Sequence, residues 1–460
     1  MSDDDSTPDS KKRRTLRSIP TSRFSRGLRV ARLTASVGAS ALGGKVATMF
    51  SNAAEKELKT LMGQVRQAQK IADTLSQMKG AAMKLGQILS LHGEHLFPKE
   101  VVEVLSRLQS QSDEMDFSEI RKVLTRELGG KLDGAADPRL DEISERPIAS
   151  ASIGQVHRAR AVVGGKKHDV AVKVQYPGVD KSIDSDVDAL ASLFSVLTRF
   201  PSAESFNTVT DEIKSVLRHE TDYLEEGKNL EFFREYFKRD ESLVVPRYVA
   251  EVSTRHVLTS ELVTGITVQE FAASTASQAA RDHLGAKYLE VFYEELMNLG
   301  RVQTDPNFAN YKIQWSFGVA EPKLVLLDFG ATKVFSKEFR ESYKSLVRAC
   351  LVEDYDAVRR VAIDMEILRE DDSKELVDMH YELARMFMEP FMPNKPYDWG
   401  ASDLAERVRK QIPKFIFAFK LRPPPRDFIF LNRKVVGVYF FASAIGSRHN
   451  PRGLLDRFLG

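Results

Sequence analysis

Apolar residues recur along much of this chain at the spacing of a helix face. Between residues 54 and 79, Leu58, Leu61, Met62, Val65, Ile71, Ala72 and Leu75 follow the i, i+3, i+4, i+7 pattern of an amphipathic helix. A second helical pattern covers Phe117 to Leu128. The period then changes. Ile153 to Val163 and Val170 to Gln175 read as strands on either side of Gly164-Gly165, a dipeptide suited to a tight hairpin turn. A long helix is expected from about Asp211 to Phe237, then short strands at Leu243-Val244-Val245 and Val257-Leu258-Thr259. Lys323 to Leu327 reads as another strand, with Gly330 in the turn that follows. Past Gly265 the chain is otherwise mostly helical, apart from the stretch around residues 303–310. The apolar run from Phe428 to Ile445 carries Arg433 and Lys434 and predicts a C-terminal core helix.

This order predicts an α+β protein with two lobes, β-rich first and α-rich second. The expected divisions are a charged, disordered tail at 1–25, a helical extension at 26–140, a first lobe at 141–260 and a second at 261–460. With 460 residues, 42% hydrophobic and 29% charged, the chain is long enough for two or three globular domains. A net charge of +2 gives no global pull toward nucleic acid, and no nucleic-acid partner is expected. Local charge says more. Residues 11–32 hold nine Lys or Arg and no acid, and the small-residue stretch Leu33 to Gly44 follows. Such a block can be a solvated tail, a nucleic-acid arm or a contact to an anionic membrane surface. No uncharged apolar run approaches the roughly 18 residues of a membrane span, so a soluble or peripheral protein is expected. Cys350, the one cysteine, excludes an intramolecular disulfide and falls in a helical pattern that would bury it. The histidines show no metal-ligand spacing.

The chemistry lies in two short runs. Asp305 and Asn310 have the D-x-x-x-x-N spacing of a kinase catalytic loop, and Asp328-Phe329-Gly330 forms a D-F-G. Phosphoryl transfer from ATP needs a carboxylate near the attacking oxygen, which Asp305 can supply. It also needs hard oxygen ligands for Mg²⁺, which Asn310 and Asp328 can supply. A lone D-F-G is weak, since short motifs occur by chance. Upstream, Val170-Ala171-Val172-Lys173 matches the strand whose lysine holds ATP phosphates. Ala149-Ser150-Ala151-Ser152 stands where a kinase carries its glycine-rich loop. The pieces in this order make a chance match improbable.

Lys84-Leu85-Gly86-Gln87 within a helix, ahead of an Ala/Ser loop, resembles the UbiB (AarF) family of atypical kinases. Glu220-Thr221-Asp222, Thr304-Asp305-Pro306-Asn307 with Asn310, and Arg422-Pro423-Pro424-Pro425 before the last apolar helix fit the same resemblance. It runs from about residue 26 to the end. It implies a two-lobed protein-kinase-like fold with a helical extension packed over the active site. It further implies that Lys173 binds phosphate and pairs with Glu226, with Glu225 as the near alternative. Lys84 and Gln87 would sit over the cleft as regulatory residues, Lys84 pairing with Glu220 and Asp222. The backbone of Glu261-Leu262-Val263 would meet adenine, Asp305 would be the catalytic carboxylate, and Asn310 and Asp328 would hold the metal.

The implied activity is that of an ATP- and Mg²⁺-dependent kinase or ATPase supporting ubiquinone biosynthesis. Implied partners are quinone-pathway lipids or enzymes, an anionic membrane and a second copy of the chain. The expected location is the cytoplasmic face of a bacterial inner membrane, with the mitochondrial matrix face as the alternative. A small-molecule kinase of the aminoglycoside or choline type and a nucleotide-binding pseudokinase are the competing readings. Departures from the ordinary kinase pattern are informative. Ser150 replaces a loop alanine of the family, and Gln303-Thr304 stand where protein kinases carry His-Arg. No Ala-Pro-Glu follows Gly330.

Overall fold

The computed structural model describes residues 114–133, 139–188, 214–411 and 425–459, apart from 152, 186, 216, 219, 319, 320 and 409. Its strands include β1 (Leu140–Asp141), β2 (Ala149–Ser150), β3 (Gly154–Val163), β4 (Lys166–Gln175) and β5 (Leu243–Val244). Next come β6 (Val257–Glu261), β7 (Arg301–Gln303), β8 (Tyr311–Gln314), β9 (Lys323–Leu326) and β10 (Thr332–Val334). The helices include α1 (Phe117–Leu128), α2 (Tyr223–Phe237), α3 (Val268–Ala273), α4 (Gln278–Tyr293) and α5 (Lys337–Leu351). They continue with α6 (Tyr355–Asp364), α7 (Lys374–Met388) and α8 (Arg426–Ala444). The described residues fall into two compact units. One runs through Thr221 and takes in Glu251–Thr259; the other holds Asp222–Ala250 and everything from Ser260.

The first unit is built on a sheet in the order β1-β3-β4-β6, with β2 added to β3. The β3–β4 hairpin pairs ten residues on each side, from Gly154↔Gln175 to Val163↔Lys166. Its two-residue turn is Gly164-Gly165 with φ of 57° and 76°, a left-handed pair that any side chain would strain. Alternation along β4 turns Val170, Val172 and Val174 inward, where they are fully buried. α1 packs against β4 through Ile120, Val123 and Leu124, spaced along one helix face as the sequence pattern requires. Gln155 on β3 is buried and satisfied by both backbone groups of Met115, accepting from its N–H at 3.0 Å and donating to its carbonyl at 3.3 Å.

The second unit starts with α2. The helix expected from Asp211 to Phe237 is interrupted, because Asp222 leaves helical geometry and caps a new helix by accepting from the Glu225 N–H at 3.3 Å. Thr221 closes the turn before it, its hydroxyl donating to the Arg218 carbonyl at 2.8 Å. Two small sheets follow. β5 lies parallel to β9, which pairs antiparallel with β8; β7 pairs antiparallel with β10. Around them, α4 and α8 cross the core with Tyr288, Leu431 and Phe441 buried between helices and strands. Cys350 on α5 is buried, as its helical pattern predicts. α8 is rich in apolar residues, yet no described helix is long and apolar enough to cross a membrane.

Candidate active site

Strand pairing in the first unit sets Lys173 beside the Ala/Ser stretch. Ala149 lies opposite Val156, and Val156 opposite Lys173, so β2, β3 and β4 carry the three in adjacent rows. Ala149 and Ser150 are exposed, and the Ala151 N–H donates to the Gly154 carbonyl at 2.9 Å, folding the loop onto the hairpin. Ser152, Lys84 and Gln87 lie outside the described residues. Glu220 is buried at the end of this unit.

The second unit brings Asp305, Asn310, Asp328 and Glu226 together. The β8–β9 register sets Tyr311 against Leu326, so the residues just outside that pair meet: the Leu327 N–H donates to the Asn310 carbonyl at 3.0 Å. The side chain of Asn310 reaches back, its amide nitrogen donating to the Asp305 carbonyl at 3.3 Å. On the other flank β7 and β10 pair, and Thr304 binds the Ala331 carbonyl through its N–H at 3.0 Å and its hydroxyl at 2.7 Å. The Asp305 loop and the D-F-G are thereby tied together on both sides. Asp328 accepts the Gly330 N–H on Oδ1 at 3.0 Å, which fixes its carboxylate.

Phe329 points the other way, stacked on Phe233 of α2 with centroids 4.6 Å apart. Its carbonyl accepts from Asn229 of α2 at 3.4 Å. Glu226, buried on the same helix, lies close to the motif: a Cβ at Gly330 would sit 3.2 Å from its Oε2. Glu261, Leu262 and Val263 run from β6 toward Ile266, which exchanges two backbone bonds of 2.9 Å with Ile313 of β8. The Glu261 N–H donates to the Arg247 carbonyl at 2.9 Å.

The metal fit follows from the donor set. Among the described residues no cluster of three or more His, Cys, Asp or Glu could hold a metal. Mg²⁺ does not require one, since it keeps waters and takes one or two protein oxygens plus phosphate. The bond from Asn310 nitrogen to Asp305 leaves the amide oxygen as its ligating atom, and Asp328 offers a carboxylate fixed by the Gly330 N–H. Asn310 and Asp328 fit that role.

Sequence reasoning missed what lies beneath the loop. Adjacent cations on α8 both reach it. Arg433 donates to Asp305 Oδ1 at 2.9 Å. Lys434 is buried 3.5 Å from Glu295 and donates to Gln303 Oε1 at 3.3 Å and to the Tyr311 hydroxyl at 3.4 Å. Gln303 in turn donates to the Asp305 carbonyl at 2.8 Å, and the Tyr311 hydroxyl donates to Gln303 Oε1 at 3.1 Å. Burial pushes the Glu295 carboxyl up to about 7 against the pull of Lys434. Burial also disfavours the Lys434 charge, but Glu295 and the neighbouring tyrosine outweigh it and hold the ammonium above its ordinary range. Lys434 is therefore charged. The signal was available: two cations inside an apolar helix face must be paired if buried.

Residues 107–362 match the ABC1 atypical kinase-like domain. Among curated proteins, the chain is 32% identical to the mitochondrial atypical kinase COQ8B of Rattus norvegicus over 85% of this chain and 71% of that protein. It is 29% identical to the mitochondrial atypical kinase COQ8 of Saccharomyces cerevisiae over 94% of this chain and 83% of that one. The mitochondrial atypical kinase coq-8 of Caenorhabditis elegans is 31% identical over 84% of this chain but only 50% of its own length. Among solved structures, Rv3197 of Mycobacterium tuberculosis, in complex with erythromycin, superposes with a TM-score of 0.56 at 22% identity. That match covers 88% of this chain and 98% of the other, and it supports the kinase-like fold.

Proposed function

We propose that this chain, which belongs to the UbiB (ABC1) family of atypical kinases, transfers or hydrolyses the γ-phosphoryl group of ATP in support of coenzyme Q biosynthesis. The observation that carries the reading is the binding of Asp305, Asn310 and Asp328 into one set by the β8–β9 pair and the Asn310 side chain. Asp305 orients the attacking hydroxyl or water and receives its proton. The new O–P bond forms as the bond from the γ-phosphorus to its bridging oxygen breaks, and ADP leaves. Lys173 holds the phosphates, with Glu226 as its partner, and the Ala149–Ser152 stretch covers them. Glu261, Leu262 and Val263 receive adenine through their backbone. Mg²⁺, held by Asn310 and Asp328, would neutralise charge developing on the phosphates.

Lys84 and Gln87 are proposed regulators, Lys84 acting through Glu220 and Asp222. The basic segment at 11–32 is proposed to meet an anionic membrane. The mitochondrial names of the relatives support a mitochondrial setting over a bacterial one. The test is rescue of quinone content in cells lacking their own family member. Wild type should restore it and Asp328→Asn should not. Equal rescue by both would remove nucleotide chemistry from the role.

A further inference from the structure

Protein kinases carry His-Arg immediately before the catalytic aspartate. Here Gln303-Thr304 fill those positions, and neither supplies a charge. The fold brings an arginine to the same carboxylate from 128 residues downstream, Arg433 of α8 at 2.9 Å from Asp305 Oδ1. Four contacts hold α8 at that spot. Lys434 is buried in its pair with Glu295 and bonded to Gln303 and Tyr311, behind the loop backbone. Gly437, one turn on, lets the helix touch the loop: a Cβ there would lie 2.0 Å from Pro306 Cβ. α8 is thus a rigid base under the Asp305 loop.

Arg433 stands apart from the buried base. Its side chain keeps 22% of its exposure and Asp305 keeps 17%, so both reach the open side of the loop. Arginine offers five donors in a planar fork, and one bond to Asp305 leaves others to serve a second anion. The anion that must come within reach of Asp305 during turnover is the transferring phosphoryl group.

We infer that Arg433 completes the phosphoryl-transfer site from the C-terminal helix, aiming the Asp305 carboxylate and presenting a fixed cation to the transferring phosphoryl group. This rests on the phosphotransfer reading above. It makes α8 part of the catalytic apparatus rather than only core. The cation acts on charge that develops in the transition state, so its removal should affect turnover far more than nucleotide affinity.

The test uses the full chain, ATP·Mg²⁺ and water as acceptor. Arg433→Ala should retain the thermal stabilisation given by ATP·Mg²⁺ and its KM for ATP. Its kcat should fall by roughly 10²–10³-fold, the scale of losing one cation or oxyanion donor. Added guanidinium or methylguanidine should restore part of that turnover in Arg433→Ala and none in Asp305→Asn. Arg433→Lys should recover only part, since one ammonium cannot span carboxylate and phosphoryl group as a fork does. If Arg433→Ala does not fold, Arg433→Gln carries the same comparison. Turnover at or above the wild-type level in the folded variant overturns the inference, the latter by making the pair an inhibitory latch. Equal loss of nucleotide binding and turnover in both Arg433→Gln and Arg433→Lys overturns it as well, by making the arginine structural. Full turnover in Asp305→Asn would instead sink the phosphotransfer reading itself, whatever the Arg433 variants do.

Discussion

Lys434→Met removes the cation of a buried pair and leaves its anion. The Lys434 and Glu295 side chains are 1% and 2% exposed, and they stand 3.5 Å apart. Methionine fills similar volume, so the loss is electrostatic and not a cavity. Breaking a buried pair on one side costs about 3–5 kcal/mol, because the remaining carboxyl keeps only its backbone bond at Gln303 and must either stay buried as an anion or take up a proton. At about 2–4 °C per kcal/mol for a unit of this size, the melting temperature should fall by roughly 6–20 °C. Lys434→Met/Glu295→Gln removes both charges and should recover at least half of the loss. The deficit should also depend on pH. The Glu295 carboxyl is already pushed up to about 7 by burial, and losing Lys434 raises it further. A carboxyl raised in the folded state favours the protonated fold, so its contribution is present at acid pH and lost as pH rises through the folded value. The single variant should therefore lose ground to wild type as pH rises above about 7, by at most about 1.4 kcal/mol per unit. Trp315 and Trp399, both in the same unit, report its unfolding by emission in urea. A single-variant loss under about 1 kcal/mol, or a double variant no better than the single, would refute the buried pair.

Gly437→Ala forces a methyl into Pro306, with 2.0 Å to its Cβ, and should lower stability by about 1–3 kcal/mol and turnover beyond that; unchanged turnover would uncouple α8 from the loop. Burial lowers His380 and His449 to about 4, so each contributes stability that is present above about 6.5 and lost as pH falls toward 4, up to about 3 kcal/mol apiece. Denaturation midpoints from pH 7 to 4.5 should fall accordingly, and His380→Phe should flatten the slope; an unaltered slope would mean that His380 accepts its proton without unfolding. Deleting residues 1–45 should sharply reduce co-sedimentation with cardiolipin-containing liposomes, and high salt should weaken that of the intact chain; equal sedimentation would move the membrane contact elsewhere.

Much of the fold was legible because local pattern and tertiary need agree. The β3–β4 hairpin could be read from its alternation and its Gly-Gly turn, and α1 from its apolar face. The helix break at Thr221-Asp222 was not, because helical periodicity continues across it and only the cap marks the new start. The motif residues Asp305, Asn310 and Asp328 were legible since their spacing is local and their loops are short. Arg433 and Glu295 were not, because no local rule links positions more than a hundred residues apart. The two cations in an apolar helix were a cue to pairing but carried no information about the partner. Lys84, Gln87 and Ser152 fall outside the described residues, so their roles stand as proposals.

The central claim is that Asp328 binds nucleotide with its metal while Asp305 acts only on the chemistry. Thermal stabilisation by ATP·Mg²⁺ and ATP turnover, measured side by side on Asp328→Asn and Asp305→Asn, test it directly. The account predicts that Asp328→Asn loses both, whereas Asp305→Asn keeps the stabilisation and loses turnover. Undiminished stabilisation in Asp328→Asn, or parallel loss of both signals in Asp305→Asn, would contradict it.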